Sequence, residues 1–291
     1  MSRGIVLFGI NNARINYVKL AIIAAGFIRN NMPGIPICLI TDKKSQDESE
    51  SLVKYFDKII ILPEEDQLFE NNRTYRDTQY YHMTDSFKNE TRSKVYDLSP
   101  YEETLLLDTD YLMCSDILNS VWGSTYDVMI NKTAINLLHD PLEGDEDRLN
   151  KFGIKMYWAT AIYFKKCEKA EELFNLVEHI KQNWQFYKLV YDFPGSLFRN
   201  DFAFSIAIHM LNGFEETSEI FPSLPDSSIF TSLDTDQFYK LKSPSELLMF
   251  VNDKKDTWKY YISNIKGINV HCMNKISLLN NYDDIIKVLY V

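Results

Sequence analysis

The segment Thr104-Leu105-Leu106-Leu107-Asp108-Thr109-Asp110 carries the densest chemistry in the chain. Its apolar run reads as a buried strand. Two carboxylates spaced i, i+2 at the end of such a strand can share one divalent cation, because the strand is rigid and the chain is turning outward there. Hard oxygen ligands favour Mg²⁺ or Mn²⁺. Parallel α/β sheets bind their ligands at the carboxyl ends of the strands, so Asp108 and Asp110 stand where a nucleotide belongs, and a metal there would clamp a diphosphate. The chain contains its own control in Asp234-Thr235-Asp236. That copy follows Thr231-Ser232-Leu233 instead of a long apolar run and is expected in a solvated loop, with Asp145-Glu146-Asp147 as a further surface charge cluster.

The elements that must position the pair are legible on either side. Gly4 to Ile10 is short, apolar and partly β-branched, a buried strand that ends in a turn at Asn11-Asn12. Tyr17, Leu20, Ala21, Ala24, Phe27 and Ile28 recur at helical spacing, and Pro33-Gly34 stops that helix. Further strands are expected over 35–41 and 58–62, with a charged helical stretch between them. Strand alternating with helix implies a parallel sheet with right-handed crossovers. Strands are also expected over 126–130, 161–164 and 268–271, and helices over 168–184 and 201–211. Residues 63–90 and 215–250 show no clear period.

Composition narrows the class. With 45% hydrophobic and 25% charged residues, 291 residues can bury a real core without staples. The four cysteines form no C-x-x-C pair, so neither a disulfide framework nor a zinc ribbon is indicated. The apolar start is too short for a secretory leader, and no segment is long enough to span a membrane, which points to a cytoplasmic protein. A net charge of −10 disfavours a polyanion held over the whole surface. The excess is uneven, however: residues 1–150 carry 15 basic against 24 acidic side chains, and 151–291 carry 16 against 17, so a local basic patch in the second half stays possible.

The stretch from Arg92-Ser93-Lys94 through Pro100 to Asp108-Thr109-Asp110 resembles the metal-binding region of GT-A-fold glycosyltransferases, most of all the glycogenin-like retaining family. The resemblance implies an α/β fold with a mixed, mostly parallel, Rossmann-like sheet flanked by helices. It implies a single domain over 1–291, with a nucleotide-binding half over 1–115 and an acceptor-binding half over 116–291. By the same resemblance Lys94 touches the donor, Asp110 ligates the metal, and Asp108 contacts both metal and ribose. Asn11 and Asn12 fall where the fold puts nucleobase and ribose. Trp158 to Phe164 looks like the family's N-A-G strand, with Ala159 where the Asn would be. Arg199-Asn200-Asp201 resembles the acidic start of the helix that meets donor sugar and acceptor, which makes Asp201 the catalytic candidate beside Lys94. Val270-His271-Cys272-Met273-Asn274-Lys275 resembles the segment in which His271 completes the metal site and Lys275 holds the diphosphate, though the family has two more residues and a Gly between the two.

The implied reaction moves a sugar from a nucleoside diphosphate sugar, most simply a UDP-sugar, to a hydroxyl acceptor with Mn²⁺ or Mg²⁺ as cofactor. The stretches 151–158 and 254–261 interleave lysines with aromatics, including Trp158, Trp258 and Tyr260, which suits stacking on sugars or nucleobases. A saccharide is the first acceptor class, and DNA carrying hydroxymethylated bases, as in some phage glycosyltransferases, is the second. A nucleotide-sugar-binding protein without turnover is the non-enzymatic alternative. Sugar-nucleotide pyrophosphorylases are set aside, because Phe8 to Arg14 does not resemble their Gly-rich, Arg-containing loop.

Overall fold

The computed structural model describes residues 2–49, 51–63, 71–78, 80–87, 90–138, 148–149, 153–192, 198–215, 220–226, 229–253 and 258–290. The chain begins with β1 (Arg3–Phe8), α1 (Tyr17–Asn31), β2 (Ile37–Asp42), α2 (Lys43–Asp47) and β3 (Lys58–Leu62). Asn16 and Asp42 start the two helices by accepting from Lys19 N at 2.8 Å and Ser45 N at 2.7 Å, which satisfies N–H groups that a first turn leaves orphaned. A hairpin of β4 (Asn71–Arg76) and β5 (His82–Phe87) follows, then α3 (Val95–Leu98) and β6 (Glu103–Leu107).

Strands β1, β2, β3 and β6 pair in parallel in the order β3-β2-β1-β6. Past them come β7 (Tyr111–Leu112), β8 (Val128–Asn131), β9 (Ala134–Asn136) and β10 (Trp158–Lys165), and the sheet is completed by β10 antiparallel to β6 and β8 antiparallel to β10. The result is a mixed α/β fold with a largely parallel central sheet flanked by helices, consistent with GT-A or Rossmann-like architecture. Alternation along β1 explains its purely apolar run. Ile5 and Leu7 point into a core shared with α1, while Val6 and Phe8 point into a second core on the opposite face.

That second face is covered by α4 (Glu168–Gln182), α5 (Trp184–Val190) and α6 (Asn200–Leu211). The remaining chain forms β11 (Ile229–Thr231), β12 (Gln237–Ser243), β13 (Glu246–Asn252), β14 (Tyr260–Lys266), β15 (Val270–His271), α7 (Lys275–Asn280) and α8 (Tyr282–Leu289). A small sheet runs β7-β15-β11-β9, and β12-β13-β14 is an antiparallel meander. Helix α8 packs on α1 at Gly26, where an added Cβ would lie 2.8 Å from Leu289 Cδ1.

The two patternless stretches are partly ordered sheet. In 215–250 the inward alternation of Leu247, Met249 and Val251 is real, but register shifts at Phe238/Lys240 and Leu241/Ser243 break the period on the partner strand. The 71–87 hairpin has little apolar pattern because it is held through polar atoms, with Tyr75 Oη 2.8 Å from Tyr17 Oη. Among the described residues no helix is long and apolar enough to cross a membrane.

Candidate metal centre

The Asp108-Thr109-Asp110 turn leaves the carboxyl end of β6 beside β1 and β10. Asp108 N donates to Thr160 O at 2.9 Å, and Tyr111 N closes the turn on Asp108 O at 3.1 Å. The next two residues form β7, which pairs with β15 so that His271 lies opposite Tyr111, and Cys272 N donates to Asp110 O at 2.8 Å. Strand pairing therefore delivers a histidine from the far end of the chain to the carboxylates. One ligand atom from each of Asp108, Asp110 and His271 lies within 4.8 Å of the others. His271 Nε2 stands 3.3 Å from Asp110 Oδ2 and 3.9 Å from Asp108 Oδ2. Two carboxylates and one imidazole nitrogen, converging on one point, fit a divalent cation. Asp110 is buried, whereas Asp108 keeps 24% of its side chain exposed, so the cluster opens to solvent through Asp108.

Two cations neutralise the pair. Arg92 donates to Asp108 Oδ1 through one guanidinium nitrogen and to Ala159 O, at 2.5 Å, through the other. Lys275 Nζ donates to Asp110 Oδ2, with both groups buried. Burial pushes the Asp110 carboxyl up, but Lys275 and His271 outweigh it and hold the group well below the usual carboxylate range. Asp108 behaves oppositely. Burial, together with the charges of Asp110 and Asp201, raises its carboxyl against the pull of Arg92 and His271. Unequal environments thus push apart two carboxylates only two residues from each other.

Asp201 opens α6 and is brought to the same edge of the sheet. Its Oδ1 accepts from Ala159 N at 2.9 Å and its Oδ2 from Arg199 at 2.8 Å, so it pins the strand that also carries the Arg92 contact. Lys94 ends the short 3-10 turn over Glu90–Lys94 and is half-buried, and the cation that reaches Asp108 is Arg92, two residues earlier. Asn11 caps the approach to α1, accepting from Val18 N at 3.1 Å, and its amide faces Glu48 Oε2 at 3.4 Å. Asn12 uses its whole side chain internally: Oδ1 accepts from Arg14 N and Ile15 N, and Nδ2 donates to Tyr75 Oη and Ser86 O. Any contact it makes to a nucleotide is therefore left to its backbone.

Arg92 is the functional side chain that pattern reading passed over, although it heads the very stretch that carries the motif. The available signal was chemical, since only an arginine fork satisfies a carboxylate and neighbouring carbonyls together. A second missed group is Asp226, which accepts from Tyr111 Oη at 3.0 Å and Asn131 Nδ2 at 2.8 Å next to the turn. Burial raises its carboxyl in spite of those donors.

The control motif is a loop, but not a solvated one: Asp236 is buried and accepts from Leu233 N and Asn252 N, each at 2.7 Å. Asp234 does stay near solvent, 3.7 Å from Arg76. Residues 145–147, 151–152 and 254–257 lie outside the described residues. Of the aromatics in the two lysine-rich stretches, Trp158 is half-buried, and Trp258 is 75% exposed, its ring 5.5 Å from that of Tyr80.

No protein-family model matches the chain. No curated protein matches it either. Solved structures do match. The galactosyltransferase LgtC in complex with donor and acceptor sugar analogues aligns over 70% of this chain and 70% of its own, at 14% identity and a TM-score of 0.44. Mouse xyloside xylosyltransferase 1 in its apo form aligns over 77% of this chain and 85% of its own, at 14% identity and a TM-score of 0.45. The glycosyltransferase GlyE of Streptococcus pneumoniae TIGR4 aligns over 76% of this chain and 45% of its own, at 14% identity and a TM-score of 0.40. The likeness is one of backbone course, and the chemistry rests on the side chains gathered around Asp108 and Asp110.

Proposed function

We propose that this chain is a metal-dependent glycosyltransferase that moves a sugar from a nucleoside diphosphate sugar, read as a UDP-sugar, to a hydroxyl of a saccharide. The observation that carries this reading is the convergence of Asp108, Asp110 and His271 at the carboxyl edge of a largely parallel sheet. These three residues would hold Mn²⁺ or Mg²⁺, which, when bound, neutralises charge that builds on a departing diphosphate. Arg92 fixes the orientation of Asp108, and Lys275 adds a second positive charge beside Asp110. Asp201 positions the strand edge at Ala159. Lys94 stays the candidate donor contact, and Asn11 and Asn12 the candidate nucleoside contacts. In this reading residues 1–115 serve the nucleotide and 116–291 the acceptor.

The saccharide acceptor is supported by the exposed Trp258 and Tyr80 rings, 5.5 Å apart. Aromatic faces stack on sugar rings. A screen of nucleoside diphosphate sugars with Mn²⁺, reading nucleoside diphosphate release with and without saccharide acceptors, tests the assignment. Metal-dependent release stimulated by a saccharide is expected. Donor binding that ignores EDTA would remove the metal site from the reading. Salt-sensitive affinity for duplex DNA, measured at two salt concentrations, would replace the saccharide with a DNA acceptor.

A further inference from the structure

The two cations at the centre are not equivalent. Arg92 sits on Asp108 Oδ1 and is also tied to Ala159 O at 2.5 Å and Thr160 O at 3.4 Å, so it leaves Asp108 Oδ2, the oxygen facing His271, open to a metal. Lys275 instead sits on Asp110 Oδ2, the oxygen that faces His271 Nε2 at 3.3 Å. Among the described residues its ammonium has one hydrogen-bond partner, Asp110, at the end of a four-carbon stem with several rotatable bonds. The backbone that carries it is held firmly. Asn274 caps α7 by accepting from Ser277 N at 2.9 Å, and Asn274 Nδ2 donates to Asp77 O at 3.0 Å.

A dication that takes Asp110 Oδ2 would meet the ammonium's like charge across a single carboxylate oxygen, and that repulsion favours the departure of the ammonium. We propose that Lys275 is an exchangeable internal counter-ion: it holds Asp110 Oδ2 until a divalent cation takes that oxygen, and its ammonium is then handed to the anionic ligand. The proposal rests on the metal-centre reading above and adds a coupling to it. A metal that binds alone must displace Lys275 with no new partner for the ammonium, and so binds weakly. A nucleoside diphosphate offers the ammonium that partner. Metal and nucleotide therefore strengthen each other, and by thermodynamic reciprocity each does so by the same factor.

The test is Mn²⁺ binding to the whole chain, followed by the electron paramagnetic resonance signal of the free ion, with and without UDP. Without UDP, Lys275→Met should bind Mn²⁺ about tenfold more tightly than the parent chain, because the competitor is gone, and Lys275→Arg should bind it as weakly as the parent. The gain in Mn²⁺ affinity on adding UDP should shrink in Lys275→Met. Equal or weaker Mn²⁺ binding by Lys275→Met would overturn the exchange. A second measurement needs no variant: with lysine Cε labelled by ¹³C, the Lys275 resonance of the parent chain should move when Mg²⁺ alone is added. A resonance that stays fixed while Mg²⁺ binds would also overturn the exchange. If the parent binds no Mn²⁺ even with UDP present, the metal centre itself falls and the exchange falls with it.

Discussion

Arg92 and Asp108 are joined across 16 residues of sequence, with the guanidinium buried and its second nitrogen bound to the carbonyl of Ala159. One arginine therefore ties the motif-bearing turn after β6 to β10. Removing it strands the Asp108 charge and the carbonyl of Ala159 together. We expect Arg92→Ala to cost about 3 kcal/mol, the low end for breaking a buried pair, because Asp108 keeps part of its side chain in solvent. Arg92→Lys restores the charge without the fork and should fall in between. Urea denaturation of the three chains measures both, and a loss below about 1 kcal/mol in Arg92→Ala would show that the pair is not structural.

Asp108 and Asp110 should be indispensable to donor turnover. Asp108→Asn and Asp110→Asn each remove a hard anionic ligand and are expected to lower metal-dependent release of nucleoside diphosphate on the order of 10²–10³-fold. Asp234→Asn supplies the contrast, since that carboxylate lies on the surface beside Arg76 and should leave turnover unchanged. Equal activity in all three variants would dissociate the cluster from the reaction.

Glu103 gives stability an acid limit. Burial alone would raise its carboxyl, but the Gly123 N–H and Tyr163 O–H donors, at 2.9 and 2.7 Å, outweigh burial and hold it below its ordinary value. A group depressed in the folded state contributes stability that is fully present above its unfolded pKa, about 4.3, and is lost as pH falls through the folded value. Glu103→Gln should therefore be less stable than the parent by about 1 kcal/mol at pH 7, with the gap closing toward pH 3. Melting curves at pH 7, 5 and 3 check the sign, and a gap that widens in acid would contradict it.

Thiol chemistry should single out one cysteine. Burial pushes the thiols of Cys38, Cys114 and Cys272 up to about 12, and all three side chains are enclosed, while Cys167 is only half-buried. At pH 8 the folded chain should react at Cys167 alone, and the denatured chain at all four cysteines. Peptide mapping after labelling with a maleimide reads the outcome, and rapid labelling of Cys272 in the folded state would mean that the segment after β15 opens.

The local elements were legible because each announces itself in a short window. The apolar run before Asp108, the helical spacing from Tyr17 to Ile28 and the strand over Lys58–Leu62 need no distant partner to be recognised, and the structure has them within a few residues of the expected bounds. Elements whose period is interrupted or whose anchors are polar were not legible. Strand β12 loses its alternation at two register shifts, and the 71–87 hairpin is held by Tyr75 on Tyr17 and Asn12. The same limit applies to Asp236, which looks solvated in sequence and is buried as the acceptor of two backbone N–H groups.

By itself the sequence determined the alternation of strand and helix, the rigid carboxylate pair at a strand end, and His271 at the end of a late strand, because backbone periodicity and residue chemistry are local properties. Only the tertiary structure decided the partners. The pairing of β7 with β15 brings His271 to Asp110 from across most of the chain, and packing of the turn over Glu90–Lys94 beside β10 gives Asp108 the cation Arg92. Contacts between residues 16 and 165 positions apart are set by which strands close the sheet and which side chains can be desolvated together, and no short window of sequence encodes either condition.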